Sequence, residues 1–267
     1  MKVVRTIAEV RAALEPVRAT SRVGLVPTMG AYHAGHVALF EAARAESDVV
    51  VASLFVNPAQ FGDAADLGAY PRDEARDAAI ASEGGVDVVF APSVEEIYPP
   101  GFQTWVEVEQ LASPLEGEFR PGHFRGVATV CLKLFTIVAP DTAYFGQKDA
   151  QQVAVVKQLA RDLSLPLEIR VVPTVRDDDG LALSSRNARL SPDERRRALT
   201  IPRALQAGLA AYRAGTDPVA AAGAELDGLT PDYVAVADFD GRPTLAIAAR
   251  IGWARLIDNV LLEGDPE

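Results

Sequence analysis

From residue 23 to residue 172 the chain alternates short runs rich in Val, Leu and Phe with helical patterns, and no other feature restricts its fold as strongly. Strands are expected over 23–26, 48–55, 86–90, 142–145 and 167–172, with helices over 35–46, 72–82, 126–138 and 149–163 between them. Short strands separated by helices make a Rossmann-like parallel α/β sheet with helices on both faces. Ligands of such sheets bind beyond the carboxyl ends of the strands, so chemistry is expected in the loops that follow them.

Two further patterns flank this region. Thr6-Ile-Ala-Glu9 has the form of a capping box and opens an expected helix toward residue 19. Near residue 180 the alternation stops. Leu190-Ser-Pro-Asp-Glu194 puts Ser at an N-cap, Pro at the first helical position and Glu at the third, which starts a helix toward residue 214 with a kink at Pro202. Strand-like runs at 232–238, 244–250 and 255–262 then follow one another across Gly-containing turns, as in an antiparallel meander. The chain is therefore expected to divide into residues 1–176 and a smaller C-terminal α+β domain, 177–267, at the charged, Gly-containing stretch Thr174-Val-Arg-Asp-Asp-Asp-Gly180.

Composition narrows the function classes. The net charge of -11 argues against holding long nucleic acid in a general basic field, although it leaves nucleotides open. No uninterrupted apolar run reaches the ~18 residues of a membrane span. The first residues carry Lys2, Arg5, Glu9 and Arg11 at helix-like intervals instead of a long apolar core, so the expectation is no secretory signal and a cytoplasmic protein. The one cysteine, Cys131, precludes an intrachain disulfide and sits in an apolar helical pattern, which fits buried packing better than a nucleophile. Lysines are only four, Lys2, Lys133, Lys148 and Lys157, in a chain that otherwise uses arginine for positive charge.

The residues that bear chemistry gather after strands. His33 and His36, two of the three histidines, lie in Pro27-Thr-Met-Gly-Ala-Tyr-His-Ala-Gly-His36 at the entry to a helix. A helix N-terminus offers free amides and partial positive charge to a phosphate, two imidazoles one turn apart would add donors, and Gly30 and Gly35 would admit close approach. Tyr144-Phe-Gly-Gln-Lys-Asp-Ala-Gln-Gln152 repeats the arrangement after a later strand. There Gly146 permits approach, Lys148 is a point charge, Asp149 is a cap or hydroxyl acceptor, and Gln151 and Gln152 suit hydroxyls and carboxylates. Gly180-Leu-Ala-Leu-Ser-Ser-Arg-Asn187 brings two hydroxyls and a guanidinium together as an anion clamp. Arg120-Pro-Gly-His-Phe-Arg-Gly126 places two arginines and the last histidine on a loop before a helix, and Asn57-Pro-Ala-Gln-Phe61 puts Asn57 and Gln60 at the sheet's carboxyl edge. Asp177-Asp-Asp179 reads as an acidic surface turn before a Mg²⁺ site.

Pro27-Thr-Met-Gly30 with His33-Ala-Gly-His36 resembles the HxGH signature shared by adenylyl-transferring enzymes. Joined to Asn57-Pro-Ala-Gln-Phe61, Tyr70-Pro-Arg72, Arg120-Pro-Gly-His-Phe-Arg-Gly126, Phe145-Gly-Gln-Lys-Asp149, Gln151-Gln152, Leu183-Ser-Ser-Arg-Asn187 and Arg255-Leu-Ile-Asp-Asn259, the ordered set closely resembles the pantoate:beta-alanine ligases over nearly the whole chain. That resemblance implies ATP-dependent condensation of pantoate with beta-alanine through a pantoyl adenylate. ATP would be a substrate and Mg²⁺ its companion, the protein a homodimer without nucleic-acid or membrane partners, and residues 177–267 a lid. It implies an ATP site of Met29, Gly30, Ala31, Tyr32, His33, Ala34, Gly35, His36, Gly146, Gln147, Lys148, Asp149, Val175, Leu183, Ser184, Ser185 and Arg186. Of these, His36, His33, Lys148, Ser184, Ser185 and Arg186 would act in catalysis, while Gln60 and Gln152 would hold pantoate, with Asn57 and Arg120 nearby. Tyr32, Gln147 and Leu183 stand where the family commonly has Leu, Glu and Met. Another HxGH nucleotidyltransferase, or a nucleotide-binding module without turnover, is the alternative.

Overall fold

A computed structural model describes residues 1–62, 64–226 and 228–264. Six strands, β1 (Lys2–Val4), β2 (Val23–Thr28), β3 (Val49–Leu54), β4 (Val88–Phe90), β5 (Thr142–Gly146) and β6 (Glu168–Val172), form one sheet in the order β1-β4-β3-β2-β5-β6. The pairings β1–β4, β4–β3, β3–β2 and β2–β5 are all parallel. Buried on both faces, such strands read as continuous apolar runs, as Val49-Val-Val-Ala-Ser-Leu54 does. The chain leaves β2 toward β3 on one side and finds β5 on the other, so the carboxyl ends of β2 and β5 flank the sheet's topological switch point.

Helices cover both faces, as the alternation predicts. Ile7–Leu14, His123–Val138 and Ala150–Asp162 pack one core, in which Leu14, Leu25, Phe90, Leu134, Val156 and Leu159 are buried. Ala34–Glu46 and Glu74–Glu83 pack the other through Phe40, Ala43 and Ala81 against Val26, Val50 and Ala52. Burying one such side chain contributes about 2 kcal/mol, against under ~1 kcal/mol for a residue's helix propensity, so burial decides where these helices lie. Cys131 is 3% exposed within His123–Val138, and burial pushes its thiol up to about 12, which keeps it a packing residue.

The chain forms two compact units: residues Met1–Phe145 with Gln151–Val172, and Gly146–Ala150 with the chain from Pro173 onward. In the second unit β7 (Pro231–Asp238), β8 (Pro243–Ile251) and β9 (Ala254–Leu261) form the expected antiparallel meander. Leu245, Ile247, Ala249 and Ile251 of β8 share a core with Ile201, Leu205 and Ala222.

Some expected elements change. Residues Lys2–Val4 are a strand beside β4, not the start of a helical pattern, and the first helix ends at Leu14 because Pro16 follows and lacks the amide that would continue it. The segment expected as one kinked helix is two, Pro192–Ala198 and Thr200–Arg213. Pro202 has no N–H to give the Ala198 carbonyl, and the helix breaks at Leu199, between them. Residues 123–125, expected on a loop, are the first turn of His123–Val138, entered through Gly122 at φ 80°.

Candidate active site

Within the first unit the turn after β2 is built around Gly30 and a carboxylate from another helix. Gly30 has φ 91°, and a Cβ there would come within 2.6 Å of Leu54 Cδ1 and 2.7 Å of Asp77 Oδ2, so no side chain fits. Ala31 follows at φ 54°. The two successive amides after Gly30 donate to Asp77: Ala31 N to Oδ2 and Tyr32 N to Oδ1, each at 2.8 Å. Asp77 is 2% exposed, and the Tyr70 hydroxyl donates to the Gly30 carbonyl at 3.4 Å. Sequence reasoning missed Asp77, since nothing local marks it as a partner of a turn 45 residues away. Truncation in Asp77→Ala would leave both amides without their acceptor at roughly 2 kcal/mol each, since bonds to a charged group are worth about 1.5–3 kcal/mol. A fall in unfolding free energy of about 3–4 kcal/mol in urea titration is expected, and a change below about 1 kcal/mol would show the turn is not held this way.

The same turn delivers both histidines. His33 is the N-cap of helix Ala34–Glu46 and its Nδ1 accepts from Gly35 N at 3.1 Å, while His36 Nδ1 accepts from His33 N at 3.3 Å. The rings are 4.2 Å apart. A ring nitrogen that accepts from an amide bears no proton, which leaves Nε2 as the nitrogen of each ring that can carry one. Ala34 opens the helix on its exposed side. Tyr32 is 1% exposed, edge-on to Phe40 and tilted against His36, and burial raises its phenol above the usual value. Tyr32 is thus absorbed by the core, and its ring lies against that of His36.

Gln60, Asn57, Met29 and the 120–123 segment also meet. Gln60 closes the short turn Pro58–Gln60; its Oε1 accepts from Asn57 Nδ2 at 2.9 Å and its Nε2 points to Met29 Sδ at 3.2 Å. Asn57, 1% exposed, further donates to the Gly126 carbonyl at 3.2 Å, and its Oδ1 receives the Tyr98 hydroxyl at 2.8 Å and Ala59 N at 3.3 Å. Asn57 therefore holds Gln60 in place. His123 Nδ1 lies 2.9 Å from the Gln60 carbonyl oxygen and its Nε2 3.1 Å from Arg120 Nη1, which is also 3.5 Å from Glu116 Oε2. A Cβ on Gly126 would overlap the Ala59 carbonyl, so only glycine lets helix and turn approach this closely. Gln152 is half-buried on the first turn of Ala150–Asp162. Its neighbour Gln151 is structural: it receives Glu116 N at 3.1 Å and donates to the Leu111 and Pro114 carbonyls at 2.9 and 2.7 Å.

In the second unit Gly146 leads into the turn Gln147–Asp149, with Lys148 Nζ 3.6 Å from Asp149 Oδ1. Asn259 of β9 donates through Nδ2 to the Gln147 and Lys148 carbonyls at 3.0 and 2.8 Å and accepts from Gln147 Nε2 at 3.3 Å. The preceding Asp258, 3% exposed, takes Arg176 through both oxygens at 2.6 and 3.0 Å. Val175 is bonded to Leu183 through backbone at 3.0 Å, and Ser184 Oγ accepts from Arg186 N at 3.3 Å, so Val175 and the 183–186 segment share one hairpin with half-buried Ser185. Asp177 and Asp179 both engage Arg195 at 2.7 Å, as an acidic surface turn would. Among the described residues no cluster of three His, Cys, Asp or Glu side chains is arranged to hold a metal ion.

A parallel sheet with a Gly-bearing turn that feeds an HxGH helix defines the class: α/β enzymes that handle nucleotides through this motif. The pantoate-beta-alanine ligase family model matches residues 2–261, and the chain belongs to that family. It is 52% identical to the pantothenate synthetase of Roseiflexus castenholzii over 98% of this chain and 100% of that protein. Its fold is similar to the crystal structure of pantothenate synthetase from Thermus thermophilus, with TM-score 0.94 and 47% identity over 99% of this chain and 100% of that one. The pantoate-beta-alanine ligase from Francisella tularensis, complexed with beta-gamma ATP and beta-alanine, has TM-score 0.87 and 36% identity over 100% of both chains.

Proposed function

We infer that this chain is an ATP-dependent carbon–nitrogen ligase that joins pantoate to beta-alanine. The observation that carries this is the family match over residues 2–261. Pantoate's carboxylate attacks the α-phosphorus of ATP, forming pantoyl adenylate and releasing pyrophosphate; the amine of beta-alanine then attacks the acyl carbon, and AMP leaves with pantothenate as product. No side chain need serve as nucleophile.

The transition state at phosphorus concentrates negative charge, which calls for fixed donors. His33 and His36, with Nε2 protonated, Lys148, Ser184, Ser185 and Arg186 are the groups we assign to that task. Met29, Gly30, Ala31, Tyr32, Ala34, Gly35, Gly146, Gln147, Asp149, Val175 and Leu183 complete the ATP site in this reading. Gln60 and Gln152 hold pantoate, Asn57 by fixing Gln60, and Arg120 through its place beside His123 at the Gln60 turn. Mg²⁺ enters as part of the substrate, bound by ATP phosphate oxygens, which suits an ion that rarely needs an all-protein cage. The adenylate is hydrolysable, so the site must exclude water from it. The family resemblance further supports a homodimer and a cytoplasmic location; no helix among the described residues is long and apolar enough to cross a membrane.

Pyrophosphate exchange into ATP tests the reading. Exchange is expected only with pantoate present and to vanish with EDTA, with AMP release requiring beta-alanine as well. Exchange provoked only by a phosphorylated acceptor would move the assignment to a nucleotidyltransferase. Tight ATP binding without exchange would indicate a binding module.

A further inference from the structure

We propose that Asn259 is a positioning residue for Lys148, acting on the backbone of the turn that carries it. The inference rests on the reading above in which Lys148 meets the phosphates of ATP. Asn259 is 5% exposed, and all of its side chain's polar atoms are used on one target: Nδ2 binds two successive carbonyls, of Gln147 and Lys148, and Oδ1 receives the Gln147 side chain. Such a grip fixes two consecutive peptide planes, and with them the direction in which the Lys148 Cα–Cβ bond leaves the chain. Lysine is a flexible point charge on a long stem, so its average position depends heavily on that direction.

Asn259 is itself held. Its own amide donates to Asp258 Oδ1 at 2.8 Å, and Asp258 is clamped by Arg176 in two-point fashion. Arg176 Nη1 also reaches the Gly180 carbonyl at 3.2 Å, and Arg176 bridges Ala182 across the hairpin that leads to Ser184, Ser185 and Arg186. One chain of contacts, Arg176 to Asp258 to Asn259, therefore connects the Lys148 turn with the Ser-Ser-Arg segment within a single compact unit. Only a carboxamide fits the key position. An aspartate would have the same shape but would aim an oxygen at two carbonyl oxygens.

The experiment compares Asn259→Asp and Asn259→Ala with the wild-type enzyme in the two half-reactions measured apart: pantoate-dependent pyrophosphate exchange, and release of AMP from isolated pantoyl adenylate by beta-alanine. Misplacement of a reacting group by about 1 Å can cost roughly a hundredfold. Exchange is expected to fall roughly tenfold to a hundredfold, with aminolysis of the preformed adenylate unchanged. In a Lys148→Ala background either Asn259 substitution should add no further loss. Should both Asn259 variants fold poorly by thermal melting, Gln147→Ala loosens the same grip from a half-buried position and should give a smaller loss in exchange alone. That loss should vanish in the Lys148→Ala background, whereas a loss through a contact of Gln147 with ATP would persist there. Equal losses in both half-reactions, or losses that multiply with Lys148→Ala, would overturn the proposal in favour of general stabilisation. Wild-type exchange in the Asn259 variants beside a crippled Lys148→Ala would overturn it alone. Wild-type exchange in Lys148→Ala would remove the assignment of Lys148 itself, and this inference with it.

Discussion

Replacing His36 with alanine is expected to lower pantothenate formation at least a hundredfold while the protein still melts cooperatively. Removal of one preorganised donor to a developing oxyanion costs about 10² to 10³ in turnover, and His36 is the better fixed of the pair. Its Nδ1 is anchored on the His33 amide, and its ring rests against buried Tyr32, so Nε2 is held as a donor in one direction. The structural cost is smaller. Loss of the Nδ1 bond removes one helix cap, worth about 1 kcal/mol, whereas the helix remains pinned by Phe40 and Ala43 in the core. Steady-state turnover and thermal melting measured on the same preparation separate the two. Near-wild-type turnover would remove the assignment, and His36→Gln, which keeps an N–H near the same reach, should recover part of the loss.

Lys148→Ala is expected to reduce product formation by a similar factor, at least a hundredfold, but through charge. Lys148 is partly exposed, and the bonds holding its turn run through its backbone carbonyl and that of Gln147 to Asn259, so truncation beyond Cβ leaves that framework in place. Melting should therefore be unchanged. A Lys148→Arg enzyme keeps the charge but replaces a compact ammonium with a planar fork, and it should recover activity only in part. Wild-type-like turnover in Lys148→Ala would eliminate the argument that a positive charge at this turn stabilises the phosphoryl transition state.

The positions of most chemistry-bearing residues are legible in the sequence, because glycines, histidines and the scarce lysines cluster where strands end. The sheet is legible for the same kind of reason: β2, β3 and β5 are apolar runs bounded by turn residues. What escapes depends on distant partners. The strand Lys2–Val4 is too short to show a period and exists because it pairs with Val88, Val89 and Phe90. Asp77 looks like an ordinary helical acid until it is seen bonded to Ala31 and Tyr32, and Asn259 can be quoted as part of a motif but not as the holder of Gln147 and Lys148. The helix Pro218–Glu225 escapes for a different reason. Asp217 at its cap and Pro218 behind it are a readable start signal, but the Ala-rich segment that follows has little amphipathic contrast.

The carboxylate of Asp77 has one more consequence. Two successive amides that follow a left-handed residue form a small concave cradle of the sort that captures free anions. In this chain the cradle at Ala31 and Tyr32 is already filled from within, by the Asp77 carboxylate. The turn thus carries its own partner for these two amides, and the helix entry at His33 follows a stretch of backbone that is already satisfied.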